Sequence, residues 1–236
     1  MLTTSRWQQR LYPPNRSYDP VEHFVDELYK HVDSESTVLD IGAGAGQNNP
    51  YQLQGKCREI VGVDLDSRVL TNSLLDRGIV SDVLHLPFEN QSFNIAFSIY
   101  VLEHIQDPNA FIREIHRVLK PGGMFFALTP NYWHYVPLIA SCTPYSFHRW
   151  YNEKRGRASD DTFPTYYRMN TRRTLRKQFQ QMGFDEKNMK LIEVQPNYLN
   201  FCLPTFLAGA LYERVVNSTE LLAGFRVNIV CGYRKL

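Results

Sequence analysis

Residues 37–49, TVLDIGAGAGQNN, constrain the fold of this chain more than any other stretch. An apolar run of this length reads as a buried strand. Gly42, Gly44 and Gly46 follow at alternate positions. Glycines at a strand-to-helix turn let the backbone approach a ligand closely. In an open α/β sheet, ligands bind beyond the carboxyl ends of the strands. The turn therefore reads as a cradle for a nucleotide-type cofactor. The plainer alternative is a tight structural turn.

The remaining pattern agrees with such a sheet. STVLDI, REIVGVDLD, IVSDV, SFNIAFSI and GGMFFALTP read as five strands in chain order. Residues 67–76 (SRVLTNSLLD) carry a helical pattern ended by Gly78 near its C-cap. Residues 108–119 carry another, stopped by Pro121, Gly122 and Gly123. Ahead of the first strand, Pro13 and Pro14 interrupt regular structure. Val21, Phe24, Val25 and Leu28 then recur at helical spacing, with Asp19 as cap and Pro20 at the first position. Thr171 can cap a helix running to about Met182. KLIEVQ and FRVNIVCGYRK read as a sixth and a seventh strand, with a partly helical apolar segment, 198–222, between them. Strands alternating with helices imply a parallel sheet covered on both faces, with right-handed connections. At 236 residues the chain fits a single domain. We divide it into an N-terminal lid and helix (1–36), a cofactor-binding core (37–130), and insertions on the substrate side (131–170 and 197–224).

The acidic residues indicate which cofactor. A dinucleotide fingerprint, G-x-G-x-x-G, fails at Gln47, and the GK[ST] ending of a phosphate-binding P-loop is absent. Asp40 stands just before the first glycine. A carboxylate there would repel a pyrophosphate but favours a cation. Asp64 ends the second strand and can accept both hydroxyls of a ribose. Asp82 ends the third and can accept from an adenine amino group. Together they outline a cationic ligand that contains adenosine and no phosphate. Each aspartate has a plainer reading as a strand-end cap.

At these residues the chain resembles a class I S-adenosylmethionine-dependent methyltransferase of the ubiquinone/menaquinone-biosynthesis-like (type 11) group. The family's D-x-G-x-G-x-G stands as Asp40, Gly42, Gly44 and Gly46, and its acidic residue after strand two as Asp64. Asp82 with LPF at 86–88, SFN with Asn94 in place of aspartate, LEHIQDP (102–108) and REIHRVLKPGG (113–123) follow in the family's order. The resemblance spans residues 37–130. It implies a Rossmann-like sheet of seven strands, mostly parallel, with the last antiparallel. It also implies S-adenosyl-L-methionine as cofactor and S-adenosyl-L-homocysteine as product. By the same resemblance, the cofactor contacts are Asp40, Gly42, Ala43, Gly44, Gly46, Gln47, Asp64, Leu65, Asp82, Val83, Ser98, Ile99 and Tyr100. The N-terminal segment is expected to fold over the cofactor, with Tyr12, Arg16 or Tyr18 touching it.

Methyl transfer from a sulfonium needs proximity and orientation above all. A hydroxyl or ammonium acceptor must also lose a proton, and a base near the fourth strand end would take it. His104 is the first candidate, with Glu103 beside it. A residue packed against the cofactor or capping the next helix is the competing reading of each. His134, in the insertion, is a third candidate, with a packed or surface histidine as its alternative. Related quinone O-methyltransferases hold a metal with acidic residues in this segment. Tyr100 stands where a carboxylate would be needed, so no metal is expected.

The substrate side is elaborated. Ten aromatic residues lie between positions 131 and 167, enough to line an apolar or aromatic pocket or simply to pack the insertion. Between positions 146 and 177, nine Lys and Arg face three acids, a local net of +6. An anionic group on the acceptor would suit that charge; a solvated face is the alternative. Segment 198–216 could close the pocket, form a homodimer contact or meet a membrane surface. A small-molecule acceptor, aromatic or lipid-like, follows, with oxygen ahead of nitrogen and carbon.

Other classes fit less well. The net charge of +2 argues against a dedicated nucleic-acid binder. The [DN]PP[YFW] element of base-amino methyltransferases and the Pro-Cys of base-carbon ones are both absent. A macromolecular acceptor, protein or nucleic acid, or a cofactor-binding homologue without turnover, stands as the alternative. Cys57, Cys142, Cys202 and Cys231 form no CxxC pair, so they read as free thiols in a reducing compartment. No apolar stretch reaches the roughly 20 residues of a membrane span, and the expected location is the cytoplasm.

Overall fold

A computed structural model describes residues 2–13, 19–46, 51–142 and 164–236. Its centre is a seven-stranded sheet of order β3-β2-β1-β4-β5-β7-β6. The strands are β1 (Thr37–Ile41), β2 (Glu59–Asp64), β3 (Arg77–Val80), β4 (Phe93–Ile99), β5 (Leu119–Pro130), β6 (Phe184–Ile192) and β7 (Asn228–Lys235). β7 runs antiparallel to both its neighbours, and all other pairings are parallel. The expected architecture is therefore observed.

Strand side chains alternate between the two faces, and two apolar layers result. One face carries Leu39, Ile41, Val61, Ala96 and Phe125 against helices α3 (Pro108–Val118) and α5 (Arg172–Gln181). The other carries Val38, Ile60, Ile95, Phe97 and Phe126 against Phe24, Val25 and Leu28 of α2 (Pro20–Tyr29). Phe179 of α5 stacks between Phe125 and Tyr233, at 5.3 and 4.2 Å. Helices α1 (Leu2–Leu11), α4 (Tyr135–Cys142) and α6 (Leu203–Asn217) lie outside these layers in the chain order.

The caps act as read from sequence. Asp19 accepts from the Val21 amide at 2.8 Å with Pro20 opening α2. Thr171 and Thr174 exchange hydrogen bonds at the start of α5.

Residues 67–76 correct the expected helix. Only Ser67–Thr71 forms a 3-10 turn. Asn72 then leaves the helical path: its Oδ1 accepts from the Leu74 amide, and its Nδ2 donates to the carbonyls of Ala43 and Gly44. Side chains of this kind offer the backbone an alternative to the helix. Gly78 is consequently a β3 residue and not a C-cap. β3 ends at Val80, so Asp82 lies two residues beyond it. The Pro121-Gly122-Gly123 stop is absorbed into β5, which starts at Leu119 directly after α3.

Candidate active site

The chain leaves β1 toward β2 and β3 on one side and returns to β4 and β5 on the other. A crevice beyond the carboxyl ends of β1 and β4 is the expected binding place at such a reversal. The glycine turn stands there. The amides of Gly42 and Ala43 donate to the Val63 carbonyl, at 2.8 and 3.2 Å. The Gly44 amide donates to Asp64 Oδ2 at 2.8 Å. Gly46 has φ +70°, and a Cβ on it would lie 2.1 Å from Asn72 Oδ1. That position excludes a side chain twice over, by conformation and by space.

The acidic residues surround this turn. Asp64 Oδ1 accepts from the Asp66 amide at 2.8 Å. With Gly44 this uses two of about four acceptor positions on the carboxylate, and the remainder suit a ribose diol. Asp40 is only 2 % exposed and takes a hydrogen bond from the Tyr51 hydroxyl. Burial pushes it up to about 7, the Tyr51 bond pulls the other way, and Asp64 adds to the rise. Among the described residues neither Asp40 nor Asp64 has a Lys or Arg partner. An uncompensated negative pair beside a glycine turn fits a cationic nucleoside ligand and disfavours a pyrophosphate. Asp82 is exposed and accepts from the Leu84 amide. Leu65 is exposed, and Val83 is half-buried against the α3 layer.

The residues after β4 fall on two faces. Ser98 pairs with Ile41 and Ala127, so its side chain points into the α3/α5 layer, fully buried and with no partner for Oγ. A side-chain contact from Ser98 to the cofactor is thus not what the structure places there. Ile99 and Tyr100 pack on the other layer. Tyr100 has φ +57° and donates from its hydroxyl to Asn228. Gln47, Arg16, Tyr18 and the basic and aromatic residues of 143–163 lie outside the described residues. Tyr12 is packed on Phe206 and donates to Glu213 of α6.

Glu103 and His104 occupy a 3-10 turn, Leu102–His104. Glu103 is buried, accepts from Thr129 Oγ1 at 3.2 Å, and is pushed up to about 7 by burial. Asn170 in turn donates to Thr129 Oγ1, and the Tyr166 and Tyr167 amides donate to the Glu103 carbonyl. Glu103 thereby ties residues 166–170 to the end of β5. His104 Nδ1 lies 2.8 Å from the Pro164 carbonyl. A carbonyl only accepts, so Nδ1 carries the proton and the basic lone pair is on Nε2.

His134 is sealed. It is 1 % exposed, with Nδ1 accepting from the Val136 amide and Nε2 3.5 Å from Glu193 Oε2. Burial pushes it down to about 3. It is a packed histidine, in keeping with the alternative reading. Tyr51, Asn72, Thr129 and Asn170 escaped sequence reasoning. Their partners are 11 to 41 residues away, and no spacing marks them.

Glu193 is pushed up to about 8 by burial, against the pull of the Val194 and Val227 amides. A carboxyl raised in the fold stabilises below its ordinary value and loses that contribution as pH climbs to its folded value. Glu193→Gln removes the titration and keeps one of the two oxygens that accept from the Val194 and Val227 amides. At pH 8 to 9 it is expected to be more stable than the parent by about 2 kcal/mol, with a smaller gap at pH 5. Urea unfolding at three pH values checks this; parallel curves for both proteins would refute it.

The comparisons agree with this geometry. Residues 39–127 match a family model described as "Methyltransferase domain". A malonyl-[acyl-carrier protein] O-methyltransferase 1 of Coxiella burnetii is 30% identical over 131 residues, 52% of this chain and 46% of that protein. A ubiquinone biosynthesis O-methyltransferase of Pseudomonas paraeruginosa is 31% identical over 138 residues, 53% of this chain and 58% of its own length. The chain spans about half the length of the curated relatives it matches. A crystal structure of geranyl diphosphate C-methyltransferase from Streptomyces coelicolor, with Mg2+, geranyl diphosphate and S-adenosyl-L-homocysteine, shares the fold. Its TM-score is 0.57 at 14% identity, covering 91% of this chain and 78% of that one. Residues 39–127 are thus similar to a methyltransferase domain, and the fold is one that solved methyltransferase structures share. Over about half of its length the chain is similar to proteins of ubiquinone biosynthesis.

Proposed function

We propose that this chain transfers a methyl group from S-adenosylmethionine to an oxygen of a small, aromatic or lipid-like acceptor. The observation that carries this reading is the uncompensated Asp40–Asp64 pair at the glycine turn. When bound, S-adenosylmethionine would supply an electrophilic methyl group to the acceptor oxygen. Asp64 holds the ribose and Asp82 the adenine amino group. His104, protonated at Nδ1 by its bond to Pro164, takes the acceptor's proton at Nε2. Glu103 holds the 166–170 segment at the mouth of the site.

The charge on α5 supports an anionic group on the acceptor. Arg172, Arg173, Arg176, Lys177, Gln180 and Gln181 stand along one open face of α5. Arg176 is committed to Glu186, at 2.8 and 2.5 Å. Arg172, Arg173 and Lys177 have no acidic partner among the described residues. Asn170, two residues before the helix, donates to Thr129 and to the Pro130 carbonyl at the end of β5. We read this as the place for an anionic group on the acceptor. On α6, Leu207, Leu211 and Val215 are exposed at every fourth position, which supports a lipid-like acceptor or a contact with a second copy. Cys57, Cys202 and Cys231 are free thiols, which supports a reducing, cytoplasmic location. No helix among the described residues is long and apolar enough to cross a membrane.

The test is release of S-adenosylhomocysteine on incubation with panels of phenolic, isoprenoid and fatty acceptors, each with and without a carboxylate or phosphate. Cofactor binding with no release on any panel would favour a binding protein over an enzyme; release only with protein or nucleic acid would redirect the reading to a macromolecular acceptor. With a substrate in hand, Arg172→Gln with Arg173→Gln is expected to raise KM for an anionic acceptor about tenfold while leaving kcat near the parent's. An equal change for a neutral analogue would rule out the anion site.

A further inference from the structure

Tyr51 is a tyrosine only 1 % exposed in an otherwise apolar layer. Its ring packs edge-on against Phe97, with centroids 5.3 Å apart. Its hydroxyl has a defined partner, the Asp40 carboxylate. Asp40 lies opposite Gly62 and Phe97 in the sheet, two residues before the glycine turn. A carboxylate in such surroundings is costly to ionise unless something favours the charge. A purely structural pin would be served as well by a neutral acceptor.

The arrangement of carboxylates across the sheet supplies a reason. Asp82 follows β3, Asp64 ends β2, and Asp40 stands near the end of β1. The adjacent order β3-β2-β1 therefore presents three acids side by side. With the adenine at Asp82 and the ribose at Asp64, the cofactor's remaining charged tail falls over β1. We propose that Tyr51 is a positioning residue for the cofactor: its hydroxyl orients the Asp40 carboxylate, and keeps it ionised, as counter-charge to the cationic end of S-adenosylmethionine. This rests on the reading of the glycine turn as the cofactor site.

The proposal has a signature in pH. The titratable groups facing Asp40 are Tyr51, from the segment after the glycine turn, and Asp64 of β2. α2 and β4 bring Phe24, Leu28 and Phe97 to the same layer. Burial raises Asp40 to about 7, and the Tyr51 bond is the one contribution that lowers it. Removing the hydroxyl moves the carboxyl further up, so that it is neutral at pH 7 and loses its attraction for a cation.

The experiment is calorimetric titration of the parent, Tyr51→Phe and Asp40→Asn with S-adenosylmethionine and with S-adenosylhomocysteine, from pH 5.5 to 9. Circular dichroism and melting confirm that each variant is folded. The parent's affinity should rise with pH through neutrality. Tyr51→Phe should move that midpoint up by about one pH unit, weakening binding about fivefold at pH 7 and little at pH 9. Asp40→Asn should bind weakly with a flat profile. A uniform loss in Tyr51→Phe at every pH, or an unmoved midpoint, makes Tyr51 a structural pin and overturns the proposal. Should Tyr51→Phe not fold, the isosteric Asp40→Asn decides alone: a flat profile supports the counter-charge and a parental profile overturns it. Absence of binding by the parent overturns the cofactor reading and the proposal with it, whereas parental binding with an unmoved midpoint overturns the proposal alone.

Discussion

Asp64→Ala is expected to weaken S-adenosylmethionine binding by about two to three orders of magnitude. The carboxylate has two jobs. It accepts from the Gly44 and Asp66 amides, both at 2.8 Å, which holds the glycine turn against the end of β2. In the proposed reading its remaining lone pairs take the ribose. Charge-assisted hydrogen bonds contribute about 1.5–3 kcal/mol each, and a bound ribose would make two. The alanine variant also leaves the Gly44 amide without its acceptor, at a residue with φ +51°. Asp64→Asn separates the two jobs. It retains one carbonyl oxygen for an amide but loses the charge, so its loss should be intermediate. Calorimetric titration measures both, and melting checks that the fold survives. An alanine variant within about threefold of the parent would mean that Asp64 is a strand-end cap and no ribose anchor.

Gly78→Ala is expected to give the largest loss of stability, about 3 kcal/mol. A Cβ at this position would lie 2.0 Å from the Val69 carbonyl oxygen and 2.6 Å from its carbon. These are backbone atoms of the 3-10 turn that follows β2, and no rotamer change relieves them. Either β3 moves from β2 or the turn moves from the sheet, and the turn carries Val69 into the α2 layer. For a chain of this size the melting temperature should fall by about 6–12 °C. Gly224→Ala is the control: nothing lies within 4 Å of its added Cβ, and its effect should be within about 0.5 kcal/mol of zero. Equilibrium unfolding in urea measures both. A Gly78→Ala loss below about 1 kcal/mol would show that the turn yields easily.

Gly78 also shows where sequence reading ran out. In the sequence it follows a helical pattern and looks like a cap. The helix fails because Asn72 bonds to Ala43 and Gly44, about 28 residues earlier in the chain. The element order, the capping of α2 and α5, the glycine turn and the antiparallel seventh strand were all legible. The first three rest on periodicity, local side-chain bonding and glycine's backbone freedom, and the last on the family resemblance. Asp40 and Asp64 were legible for a similar reason: their positions relative to strand ends follow from spacing.

The tertiary structure alone decided the partners of the buried polar groups. Nothing in the sequence pairs Tyr51 with Asp40, Asn170 with Thr129, or Glu193 with His134. It also decided that Ser98 faces the core and that His134 is sealed. The physical reason is the same in each case. Propensity and periodicity act over a few residues along the chain, whereas a buried hydrogen bond depends on which strands lie side by side. That neighbourhood exists only once the apolar layers on both faces of the sheet have closed.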